Sequence, residues 1–193
     1  MKQIHTLAVL LTLLLIINSG CKKDIPTTQP QPTTPPPAQA PSSPTDPLFF
    51  ATLSTPRTNV VAAATSNKLL IAGGMKRDVN WLQPALTVVD IYDKTDQTWT
   101  KANLSKARYN LSAIAHQELV FFAGGLENVH LKTSSRVDIY NATTNTWSTA
   151  ELSEARTGLM AAAANNKVIF SGGYYYDANE NLVFSRRVDI YDI

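Results

Sequence analysis

One four-residue phrase, Val-Asp-Ile-Tyr, occurs at 89–92, 137–140 and 188–191, and it never comes alone. A Gly-Gly pair stands ahead of each copy, at Gly73-Gly74, Gly124-Gly125 and Gly172-Gly173. Trp99 and Trp147 follow Tyr92 and Tyr140 by seven positions, while the third copy ends with Tyr191 before any Trp. Leu-Ser-x-x-Arg comes next at 104–108 and 152–156, with a further match at 53–57 ahead of the first copy. The leading glycines lie 51 and then 48 positions apart. Self-similarity at about fifty residues points to a propeller or a solenoid, whose units each bury an apolar face against a neighbour.

Each unit reads as four short strands. The first is rich in small residues, over 59–65, 110–116 and 158–164. The second is an apolar run into the glycine pair, over 69–72, 119–123 and 168–171. The third carries Val-Asp-Ile-Tyr, whose period-two alternation suits a half-exposed strand. The fourth carries the Trp, and the polar links at 93–97 and 141–145 suit hairpin turns. Residues 61–64 and 159–164 are alanine-rich, which favours helix on propensity alone. They hold one position in the repeat, however, and a crowded axis is where small side chains let strands converge. Strand is the expectation. The units run about 58–104, 110–152 and 158–193, with 48–53 aligning as a fourth-strand piece.

A Gly-Gly pair followed by a Tyr and a Trp at this spacing resembles the kelch motif of β-propellers, and the likeness covers 48–193. The resemblance implies an all-β, kelch-type β-propeller with three four-stranded blades present, an incomplete or partial wheel. It implies that the glycines end the second strand where a Cβ cannot fit. It also implies that Tyr92, Tyr140, Tyr191, Trp99 and Trp147 pack within and between blades. Propellers close with four to eight blades. Three copies therefore suggest part of a longer propeller or two chains pairing, a homodimer of six blades.

Upstream, Lys2 precedes an apolar run over 7–17, too short to span a bilayer. Asn18, Ser19 and Gly20 lead into Cys21, the single cysteine. This resembles the lipobox of bacterial lipoproteins, with Asn18 where that family usually has Leu. It implies that 1–21 is a signal peptide ending at a lipidated Cys21, a palmitate-type membrane anchor. Lys22 after the cysteine implies the outer membrane. The alternatives are an ordinary signal peptide with a free thiol, or an uncleaved anchor. Residues 22–47 form a Pro/Thr-rich linker expected to be disordered, and 24–47 contain nine of the eleven prolines. At about 3.1 Å per residue in polyproline II, such a stalk reaches up to roughly 70 Å. A proline-rich ligand for a partner domain is the other account.

The net charge of +2 and the scattered basic residues lack the footprint of a nucleic-acid binder. Cys21 alone cannot form an internal disulfide, and His5, His116 and His130 never fall at ligand spacing, so neither a metal nor a cofactor is expected. Asp177-Ala-Asn-Glu-Asn begins like a calcium loop, but Leu182 and Val188 stand where glycine and glutamate are needed.

Two places could bind a ligand. Arg57, Arg108 and Arg156 should ring one mouth of the channel, where guanidiniums hold carboxylate or sulfate; tying each blade to its neighbour is the competing role. The links after the glycine pairs differ in every unit and carry Trp81, His130, Tyr174, Tyr175, Tyr176 and Phe184. Loops on a rigid scaffold are where binding concentrates. No catalytic set is evident. Kelch-type copper oxidases use a Cys-Tyr crosslink, for which the repeats hold no cysteine. Kelch-type sialic acid epimerases resemble this chain in fold and exported location, and Glu127 and His116 cannot be promoted to acid/base roles from sequence. The expectation is an envelope-anchored binding module for protein or glycan, with a sugar-acid epimerase or mutarotase acting in the channel as the alternative.

Overall fold

A computed structural model of the chain describes residues 51–76, 84–127 and 131–193. The expectations for 1–21, 22–47, Trp81 and His130 lie outside the described residues. The chain divides into two units, Met1–Phe49 and Phe50–Ile193, and every strand described falls in the second.

The first sheet is built from β1 (Val61–Ala64), β2 (Lys68–Ala72), β3 (Val88–Asp93) and β4 (Thr98–Asn103), in that spatial order and antiparallel throughout. The second repeats it with β5 (Ser112–His116), β6 (Leu119–Ala123), β7 (Arg136–Asn141) and β8 (Thr146–Glu151). In the third, β9 (Met160–Ala164) pairs with β10 (Lys167–Ser171). A separate hairpin follows, β11 (Tyr174–Tyr176) with β12 (Leu182–Phe184). The chain then returns to pair β13 (Val188–Asp192) with β10. The described residues are all-β, and their four-stranded antiparallel sheets are those of a partial β-propeller. The third sheet has three strands among the described residues rather than four. Ala51, Thr52 and Leu53 belong to no strand, and 48–50 lie outside the described residues.

The alanine-rich runs are strands. β1 lies against β5, and β5 against β9, so the small residues stand where three sheets converge. A helix there would leave the edge of β2, β6 or β10 unpaired, and each pairing supplies a ladder of backbone hydrogen bonds that outweighs alanine's intrinsic preference. Asn59, Asn110 and Gly158 enter these strands at positive φ (55°, 52° and 66°), a conformation asparagine and glycine tolerate. At the far end, Asp93 Oδ1 accepts from the Thr95 amide at 2.8 Å and Asn141 Oδ1 from the Thr143 amide at 2.9 Å, closing the predicted β3–β4 and β7–β8 turns.

Period-two alternation splits each middle strand between two interfaces. On β6, Val120 and Phe122 join Leu70, Val89 and Ile91 of the first sheet. Their neighbours Phe121 and Ala123 point the other way and join Val168 and Phe170 of the third. Each fully buried Phe contributes on the order of 1.5–3 kcal/mol from area removed from water. Tyr140 pairs across the strands with Trp147, rings 5.0 Å apart, and Trp147 stacks on Phe122. Tyr92 and Trp99 repeat the pair at 5.1 Å. Tyr191 instead meets Phe121 of the second sheet edge-on at 5.0 Å.

Candidate functional site

The Leu-Ser-x-x-Arg segments at 104–108 and 152–156 are stitches with two directions, and the one at 53–57 shows only the forward direction among the described residues. In the first two the backbone reaches back to the preceding sheet: Arg108 N donates to Leu86 O at 3.1 Å, and Arg108 O accepts from Gly74 N at 2.9 Å. Arg156 repeats this on Ser134 O and Gly125 N, both at 3.1 Å. The arginine side chain reaches forward. The Arg108 guanidinium donates to Gly124 O at 2.6 Å and pairs with the Asp138 carboxylate on β7. Arg57 donates to Gly73 O at 2.9 Å and pairs with Asp90 at 2.8 Å. Arg156 pairs with Asp189 at 2.5 Å. The same aspartates accept from the serine amides of the motif, Ser54 at 3.3 Å, Ser105 and Ser153 at 2.9 Å.

Of the two roles open to Arg57, Arg108 and Arg156, the geometry is that of tying blades together. All three side chains are fully buried and held by carboxylates of the scaffold. The physical reason is direction: the chain turns after each arginine so that its side chain lies along the sheet, over the carbonyls of the second strand. Burial lowers the affinity of the Arg108 guanidinium for its proton, and Asp138 opposes that. Burial also pushes the Asp90 carboxyl up, but the Ser54 contact and Arg57 outweigh it and hold the group below the usual carboxylate value. Removing one partner of such a pair strands a buried charge and costs about 3–5 kcal/mol.

The aspartates are what sequence reasoning missed. Asp90, Asp138 and Asp189 recur in the same register as the arginines, and one acid and one base repeated per unit was the available signal.

The links after the glycine pairs form the other candidate. Tyr174 bridges Thr157, as Met75 bridges Thr58 and Leu126 bridges Tyr109, so it holds a repeating structural place. Its ring lies 3.0 Å from where a Cβ on Gly158 would stand. Tyr176 meets Tyr174 edge-on at 6.0 Å. Beyond Tyr176 opens a hollow of about 490 Å³ between the links of the second and third sheets, lined by Leu131, Lys132, Thr133, Tyr176, Asp177, Ala178 and Glu180. Tyr175 lines a different recess, with Glu154, Phe184, Arg186 and Arg187. The three tyrosines are thus divided between two surfaces. Lys132, Asp177 and Glu180 carry no periodic signal that would have singled them out.

Asp177 holds its own turn, accepting from the Asn179 and Asn181 amides at 2.9 Å. Glu127 pairs with Lys132 at 2.9 Å and Lys106 at 3.2 Å and accepts from Ser134 at 3.0 Å. Burial raises its pKa, but these partners together lower it below the usual value, the opposite of what a general acid at neutral pH needs. His116 meets the Asn165 carbonyl.

The family model described as Kelch motif matches residues 56–103, the segment that runs from the first arginine stitch through β4. No curated protein matches the chain.

Proposed function

We propose that this chain is a kelch-repeat binding module that engages a protein or glycan at the cell envelope. It is held there by a lipid on Cys21 and raised from the membrane by the proline-rich stalk of 22–47. The observation that carries the reading is a division of labour. The repeating arginines, aspartates, glycines and aromatics serve the scaffold, whereas the links that differ between units gather Leu131, Lys132, Tyr176, Asp177 and Glu180 around one open hollow. An aromatic ring beside charges of both signs suits a polar, hydrogen-bonding ligand, and Tyr presents its area at low entropic cost. The lipobox-like Asn-Ser-Gly-Cys at 18–21 and the position of Lys22 support an outer-membrane address.

Two measurements test this. Labelled palmitate should enter the wild-type chain and not Cys21→Ala; equal labelling of both overturns the anchor. The lipidated chain in liposomes, applied to a glycan array and to an envelope-protein fraction, should retain a ligand that Tyr176→Ala and Lys132→Glu each weaken at least tenfold. Undiminished retention by both variants overturns the placement of the site. Turnover of N-acetylneuraminic acid anomers or epimers by the wild-type chain would instead favour the enzyme alternative.

A further inference from the structure

The two seams within this chain are built by one rule, and each end of the array carries half of a third seam. In the built seams, Leu111 and Leu159 follow their arginines by three positions and plug the hole over a glycine. The Leu111 side chain lies 2.7 Å from where a Cβ on Gly73 would stand, and Leu159 lies 2.5 Å from that point on Gly124. At Gly172 the same hole is empty, with nothing within 4 Å. The residue three positions after Arg57 is Val60, a plug with no hole: it is 37% exposed, against 9% and 7% for Leu111 and Leu159. The backbone shows the same halves. Among the described residues, Gly173 N finds no carbonyl like those that Gly74 and Gly125 receive, and Arg57 O and N lack the partners that serve Arg108 and Arg156.

The faces agree. The trailing face of the third sheet exposes Met160, Val188 and Ile190, and the counterparts of the last two, Val137 and Ile139 on β7, are buried against the third sheet. The leading face of the first sheet exposes Trp99 beside Tyr92, whose counterparts Trp147 and Tyr140 pack against the first sheet. Leading faces meet trailing faces in both seams that exist.

We propose that a second copy of this chain seats the leading face of its first sheet on the trailing face of the third, head to tail. Val60 of one copy fills the hole over Gly172 of the other, and the Arg57 carbonyl accepts from Gly173 N. The contact is heterologous, and two copies offering both halves can close on each other. Three sheets from each copy give six, within the four to eight at which propellers close. This inference is independent of the ligand hollow, and either can fail without the other.

The test is the protein mass of the full chain in detergent, measured by sedimentation at tens of micromolar. Two chains per particle are expected for the wild type and one for Val60→Asp or Ile190→Asp. Both residues are exposed in the single chain, so β-sheet circular dichroism should be unchanged. Mixing the two variants leaves one sound joint, Val60 of the Ile190→Asp chain on Ile190 of the Val60→Asp chain, and should restore particles of two. A monomeric wild type, as when a further blade of the same polypeptide covers these faces, overturns the proposal. Pairs that persist in both variants, as from association through 7–17, overturn it as well.

Discussion

Ile139 and Ile190 hold the same place in successive copies of Val-Asp-Ile-Tyr, yet one is 4% exposed and the other 58%. β7 pairs with β6 as β13 pairs with β10, but β7 has β8 on its other side, where β13 is an edge strand among the described residues. What differs besides that fourth strand is the neighbouring sheet. The second sheet has one on each side, and its β6 and β7 are buried almost from end to end. The third has one on one side, and four of the five residues of β13 are exposed. Strand formation here is a property of the unit, while burial depends on the seam as well, in keeping with the nearest-neighbour energetics of repeat proteins.

The contrast can be attacked residue by residue. Arg108→Ala should have the largest effect, about 3–5 kcal/mol of stability, because Asp138 is left buried and unpaired. A loss under about 1 kcal/mol in urea unfolding would show that the stitch is incidental. Ile139→Ala should cost about 2–5 kcal/mol and Ile190→Ala within about 0.5 kcal/mol in the single chain. Equal costs would break the comparison. Gly124→Ala and Gly172→Ala impose the same left-handed strain, about 1–2 kcal/mol, as both glycines lie near φ +64 (63° and 65°). Only Gly124→Ala also drives a methyl into the Arg156 carbonyl and Leu159, so it should melt lower than Gly172→Ala.

The smallest expected effect is an acid one. The Lys68 ammonium, 2.6 Å away, and the Thr95 amide hold the Asp93 carboxyl at about 2, below its ordinary 3.8. A carboxyl depressed by folding adds stability above its ordinary value and loses it as pH falls towards the folded one. The chain should therefore weaken between about pH 4 and pH 2, and Asp93→Asn should flatten that part of the profile. An unchanged slope in Asp93→Asn would assign the acid sensitivity to other groups.

Much of the fold was legible in the residues because strands alternate and repeats restate one another. The alanine-rich runs show the limit of propensity, since β1 and β9 are strands by virtue of the sheets they join. The role of Arg57, Arg108 and Arg156 was only half legible. Their period said that they belong to the scaffold, but spacing does not reveal which way a side chain leaves a turn. Tyr174, Tyr175 and Tyr176 looked like one cluster for the opposite reason: adjacency in sequence concealed a strand that sends neighbours to different surfaces. The hollow beside Tyr176 draws on two links that share no pattern, and only the approach of two sheets brings them together.

Because Arg108 and Arg156 each send a carbonyl back and a guanidinium forward, their junctions are interchangeable parts. A gene cut at the codons for Arg108 and Arg156 would lose one whole wedge, and the ends left behind would still recognise each other. Lengthening works the same way, by copying the interval once more. Such a chain can change its number of wedges in a single genetic event.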